Sequence, residues 1–97
     1  MDGVMENGTL TITLPERMDA SNVADAEKEI ITIIENNSAE VVVLDAIEMT
    51  YISSAGLRVV MRLIKQLKSV SLINANEDIY EIFATTGFTR MMSVGKQ

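Results

Sequence analysis

Val41-Val42-Val43-Leu44-Asp45 opens a stretch that runs on through Ala46-Ile47-Glu48-Met49-Thr50-Tyr51-Ile52 to Ser53-Ser54-Ala55-Gly56-Leu57-Arg58. Its first four residues are an unbroken apolar run, three of them β-branched. Such a run reads as a strand covered on both faces, as in a parallel sheet. Asp45 then stands at the C-terminal end of that strand, where open α/β sheets place their ligands and switches. After a short loop, Ser53 or Ser54 begins a second helix that extends to about Lys68. Leu57, Val60, Met61, Ile64 and Leu67 recur at helical spacing and form its apolar stripe.

Upstream, Val4-Met5-Glu6 and Thr9-Leu10-Thr11-Ile12-Thr13-Leu14 flank Asn7-Gly8. Both turn positions tolerate positive φ, so the pattern predicts a hairpin. Pro15 ends its second strand. Met18-Asp19-Ala20-Ser21 reads as a loop whose Asp19 or Ser21 caps a first helix. Val23, Ala26, Ile30, Ile33 and Ile34 are that helix's apolar face, and it fades at Asn36-Asn37-Ser38. Downstream, Ser69 to Asn74 is a strand. Asn76 caps a third helix with Ile79, Ile82 and Phe83 inward, and Gly87 stops it, with Phe88 folding back on the last turn. Arg90 to Val94 reads as a final strand before a loose tail. The order is β-hairpin, α, β, α, β, α, β. It predicts one α/β domain over residues 1–97, with a mostly parallel sheet, an antiparallel N-terminal hairpin strand and helices packed on the sheet.

Composition narrows the function. The chain has 97 residues, 47% hydrophobic, enough for one modest core. Two Phe and two Tyr are joined by seven Met, which pack adaptably. A net charge of −6 argues against direct nucleic-acid binding. The absence of Cys and His excludes thiol nucleophiles, Ser-His catalysis, Cys- or His-ligated metal and phosphohistidine relay. No apolar run is long enough to span a membrane, and no basic-then-apolar leader pattern is visible, so the expected location is cytoplasmic, away from membranes. No Gly-x-x-x-x-Gly-Lys run exists for a P-loop. A phosphoaspartate site at Asp45 would need an acidic pair and a late Lys, where the chain offers Glu16 and Arg90. The chain reads as a binding module rather than an enzyme, with no metal and no cofactor.

The hydroxyl pair Ser53-Ser54 has two readings. The plain one is a helix cap. The functional one is a phosphoacceptor, since free N–H groups and the dipole at a helix start favour an anion. Ala55 and Gly56 would leave that start open to approach. Met49, Tyr51 and Ile52 beside it are either core plugs or interface anchors. Arg58, Arg62, Lys65 and Lys68 place four of the chain's eight basic residues on one helix. The plain reading is a solvated face, and docking is the alternative.

These residues resemble the STAS-domain anti-sigma factor antagonists of bacteria. The resemblance rests on Asp45 and on Tyr51-Ile52-Ser53-Ser54-Ala55-Gly56-Leu57, which puts Ser54 in the phosphoacceptor slot, with Ser53 the second choice. Met18-Asp19-Ala20 is similar to the family's Leu-Asp-Ala segment. Many members carry Asp immediately before the acceptor, and here it is Ser53. The resemblance implies a partner switch. The unphosphorylated protein binds a serine kinase that is also an anti-sigma factor, which frees sigma factor. Phosphorylation from ATP and Mg²⁺ ends the binding, and a PP2C-type phosphatase restores it. Partner contacts are then expected at Asp19, Met49, Tyr51, Ile52, Ser53, Ala55, Gly56, Arg58 and Arg62. The alternative is a STAS scaffold or nucleotide-sensing module with no phosphoserine cycle.

Overall fold

The direction in which each connection steps decides the architecture. The computed structural model describes all residues, 1–97. Strands β1 (Gly3–Glu6) and β2 (Thr9–Thr13) form the antiparallel hairpin, with Asn7 and Gly8 at φ 51° and 80°. A two-residue strand β3 (Arg17–Met18) precedes helix α1 (Val23–Asn36) and strand β4 (Val41–Asp45). A second two-residue strand, β5 (Tyr51–Ile52), precedes helix α2 (Ser54–Gln66). Strand β6 (Ser69–Ala75), helix α3 (Glu77–Thr85), a 3₁₀ turn at Phe88–Arg90 and strand β7 (Ser93–Lys96) complete the chain.

The main sheet has the order β1-β2-β4-β6-β7, and all its pairs but the first are parallel. Every crossover thus moves one place in the same direction. Right-handed crossovers that never reverse put all three helices on one face. The burial pattern agrees. Leu10, Ile12, Val42, Leu44, Val70 and Leu72 are buried under the helices, while Thr9, Thr11, Val41, Val43, Ser71 and Ile73 line a face that remains at least partly open. The valine run therefore does not mark a strand covered on both faces. Val41 and Val43 satisfy β propensity on a half-exposed face, and only Val42 and Leu44 belong to the core.

Helix α2 is turned relative to its expected stripe. Gly56, Val59, Val60 and Leu63 are its buried residues, and Leu57, Met61 and Ile64 are half-buried along its flank. The C-terminal region also differs. Gly87 sits at φ 85° and stops α3, and Phe88 returns to meet Phe83 edge-on at 5.2 Å. That return turns Phe88–Arg90 into a 3₁₀ turn, so the last strand starts at Ser93 rather than Arg90. The tail is held, because Gln97 donates its N–H to the Ala75 carbonyl at 2.9 Å and Lys96 lies 4.7 Å over the Tyr80 ring. No helix is long and apolar enough to cross a membrane.

The one-sided sheet predicts an asymmetric response to a single hydroxyl. Val42→Thr, on the covered face, should lose about 1–3 kcal/mol through a buried unpaired hydroxyl. Val43→Thr, one residue on, should stay within about 0.5 kcal/mol of wild type. Urea denaturation of the two variants side by side measures the contrast.

Candidate functional site

Ser53 and Ser54 do different work although they are neighbours. Ser53 has extended backbone (φ −89°, ψ 174°) and is the N-cap of α2, its Oγ accepting from the Gly56 N–H at 3.3 Å. Ser54 is the first helical residue, exposed, with its hydroxyl unpaired. Leu57 N–H already reaches the Ser53 carbonyl at 2.9 Å, so the Ser54 and Ala55 N–H groups are those left pointing out of the helix start. The first turn carries no acidic residue to oppose an anion there.

A small second sheet holds this start in place. β3 and β5 pair in parallel, Arg17 opposite Tyr51 and Met18 opposite Ile52. The Glu16 carbonyl accepts from Thr50 N–H at 2.8 Å, and the Met18 carbonyl accepts from Ser53 N–H at 2.8 Å. The alternation then sorts the residues. Met18 and Ile52 go inward, while Arg17, Tyr51 and Ser54 face out. The Arg17 guanidinium lies 4.6 Å over the Tyr51 ring and contacts Asp19 at 3.3 Å. Arg17 is a residue of this surface that the sequence reading missed. Its signal was the exposed-buried pattern Arg17-Met18, too short to read as a strand alone.

Asp19 does not cap α1, and neither does Ser21. The N-cap is Asn22, without a side-chain cap bond. Asn22 instead accepts from Asp19 N–H and donates to the Arg17 carbonyl, so it braces the turn. Asp19 accepts from the Ser21 hydroxyl at 2.6 Å and the Ser21 N–H at 2.9 Å. Those bonds, aided by Arg17, hold its carboxyl below the usual carboxylate range.

Several expected contact residues lie elsewhere. Met49 (1% exposed) and Ile52 are core plugs and offer no surface. Gly56 is buried too. A Cβ there would lie 2.7 Å from Ile52 Cγ1 and 3.1 Å from Met18, so the glycine serves close packing rather than an open approach. Arg62 is committed to α1, with Nε and Nη2 donating to the two Glu27 oxygens at 2.7 and 2.8 Å. Glu27 is held below, and Arg62 above, its ordinary range by that bond. Arg58 is exposed and in no ion pair, and Ala55 is half-buried beside it. The exposed set around Ser54 is thus Arg17, Tyr51 (41% exposed) and Arg58, with Asp19 beside Arg17.

The loop before β5 is pinned from behind. Asp45 accepts from Ile47 N–H at 3.0 Å and from the Asn74 amide at 2.9 Å. Asn76, which caps α3 through Ile79 N–H, also donates to the Met49 carbonyl at 3.2 Å. Ile47 is left 49% exposed. None of the three cavities is lined by Ser53, Ser54 or the residues of β3 and β5, so the hydroxyl pair stands on open surface. No three His, Cys, Asp or Glu side chains gather closely enough to hold a metal ion.

Comparison with known proteins bears on the family and the fold. The STAS domain family matches residues 3–97. BtrV of Bordetella bronchiseptica, assigned as an anti-sigma factor antagonist, is 33% identical over 91% of this chain and 78% of its own. Among solved structures, TM1081 of Thermotoga maritima, with the same assignment, superposes with a TM-score of 0.87 at 15% identity, covering 99% of this chain and 86% of that one. The anti-sigma factor antagonist SpoIIAA, in its unphosphorylated form, gives 0.70 at 16% identity, with the same two coverages.

Two predictions follow from the division of labour. Ser53→Ala should cost about 0.5–2 kcal/mol, the range for losing a cap, whereas Ser54→Ala should stay within about 0.5 kcal/mol. Thermal or urea unfolding compares them. For Asp19, a lowered folded-state value means that its contribution to stability is complete above the ordinary carboxylate range. It is lost as pH falls through the lowered value. An NMR pH titration should find the Asp19 midpoint below that of an unstructured Asp, and Ser21→Ala should move it up.

Proposed function

The chain belongs to the STAS domain family, and from that premise we propose that it is an anti-sigma factor antagonist whose binding is switched by phosphate on Ser54. The observation that carries the reading is the contrast within the hydroxyl pair. The Ser53 hydroxyl is held by the helix, while the Ser54 hydroxyl is exposed, unpaired and beside two free N–H groups. A kinase can reach Ser54 without unfolding anything. Its open surroundings support a protein partner over a nucleotide sensed in a pocket.

In this reading the partner is an anti-sigma factor that is itself a serine kinase. The antagonist binds it through the surface around Ser54, Tyr51, Arg17 and Arg58, and sigma factor is released. Phosphoryl transfer from ATP moves the γ-phosphoryl group to the Ser54 oxygen, with ADP leaving and the hydroxyl proton released. A PP2C-type phosphatase hydrolyses the ester and restores the hydroxyl. The protein supplies a hydroxyl and a surface, and the chemistry belongs to its partners.

The physical effect of the phosphate differs between the free chain and the complex. The group adds about −1.5 to −2 charges near neutral pH. In the free chain the helix start favours it by roughly 0.3–1 kcal/mol, and Arg58 stands one turn on, at a spacing where opposite charges attract. Burying that dianion against a partner with no cation waiting costs on the order of several kcal/mol. Each ~1.4 kcal/mol is tenfold in affinity.

The phosphoprotein should therefore melt at or slightly above the wild-type temperature while binding its kinase on the order of a hundredfold or more weakly. Ser54→Asp, with one charge, should reproduce part of that loss. Phosphate mapping to Ser53, or a phosphoprotein that binds as tightly as wild type, would sink the mechanism.

A further inference from the structure

The far end of α2 carries a second feature. A groove of about 330 Å³ opens between the end of α2, the start of β6 and the turn into β7. Its apolar lining includes Ile64, Leu67, Val70 and Met92, with Met91 on the rim 42% exposed. Lys68 also lines it, and no acidic residue does. Lys65 and Arg90 are each one residue in sequence from the lining and exposed, and one acidic residue, exposed Glu40, abuts it, its carbonyl accepting from Ser69 N–H at 3.2 Å. None of these three cations is in an ion pair, although the chain as a whole carries a charge of −6. Positive charge left unpaired around an apolar groove is complementary to an acidic segment with an apolar anchor. Exposed methionine suits such an anchor, because its side chain repacks easily.

The groove is also continuous with the Ser54 surface. Leu57, Met61 and Ile64, at i, i+4 and i+7, form a half-buried seam that starts one turn after Ser54 and ends in the groove. We propose that the groove is a second anchor for the partner protein, holding an acidic segment at a place that phosphate on Ser54 does not reach. The identity of that partner rests on the reading above; the chemistry of the groove does not. A 13-residue helix is about 20 Å long, and the screening length at physiological salt is about 8 Å. Phosphate at one end therefore weakens the Ser54 contacts and leaves the groove contacts standing. The partner is loosened at one end and kept close by the other.

The test uses the full chain with ¹³C-methyl-labelled methionine, titrated with a short Asp/Glu-Leu peptide and with its Lys-Leu counterpart. The acidic peptide should shift the Met91 and Met92 methyls and leave the buried Met18 and Met49 methyls, at the Ser54 end, unmoved. Added salt should weaken it, and Lys68→Glu, at an exposed position, should weaken it about two- to fivefold. Ser54→Asp should bind the peptide as tightly as wild type. Equal shifts from the Lys-Leu peptide would overturn the proposal. So would no shift at Met91, loss of peptide binding in Ser54→Asp, or movement of the same methyls with protein concentration alone, which would assign the groove to a second copy. A failed Ser54 switch with these peptide results intact would count against the phosphate mechanism and not against the groove.

Discussion

Two residues on each side of a parallel ladder, Arg17–Met18 against Tyr51–Ile52, determine where everything of interest lies. The ladder is too short to be stable alone. It persists because Met18 and Ile52 are buried from its inner face and Gly56 lets α2 close over them. Remove the glycine's smallness and the helix start moves away from β3. Remove the ladder and Asp19 loses its fixed place beside Tyr51 and the start of α2 at Ser54. The site is therefore a property of packing beneath it, and its surface chemistry is arranged by residues that no partner would touch.

The sequence was most legible where local rules and tertiary structure agree. Asn7-Gly8 marked the hairpin because both residues accept positive φ, and Asn76 marked α3 because it accepts from Ile79. The order of elements was enough for the sheet. It was less legible where a residue's role depends on a distant partner. Arg62 looks like a free surface cation until Glu27, 35 residues away, is brought beside it. Met49 and Ile52 carry no mark distinguishing plug from anchor, because that depends on which way a two-residue strand is pleated. The valine run misled for a related reason: β-branched residues suit a strand whether its second face is covered or open.

The Ser53-Ser54 pair shows how far a motif can be taken. Sequence assigned the second hydroxyl to the acceptor slot by resemblance alone. The structure adds a physical distinction, a helix-capping hydroxyl on a half-buried residue next to an unpaired hydroxyl on an exposed one. The similar argument for Ala55-Gly56 as an open approach fails, since smallness there is directed inward.

The hairpin at the other end of the sheet has a consequence for handling and for survival in the cell. β1 is an edge strand with neither proline nor lysine in it, and Val4 and Met5 are exposed along it. Such an edge is a template for strand addition by any passing copy. The copies' shared surplus of negative charge opposes such pairing, and it vanishes near the sequence isoelectric point of about 4.5. Acidification thus removes that repulsion, and colloidal loss should set in on the acid side before the core itself gives way.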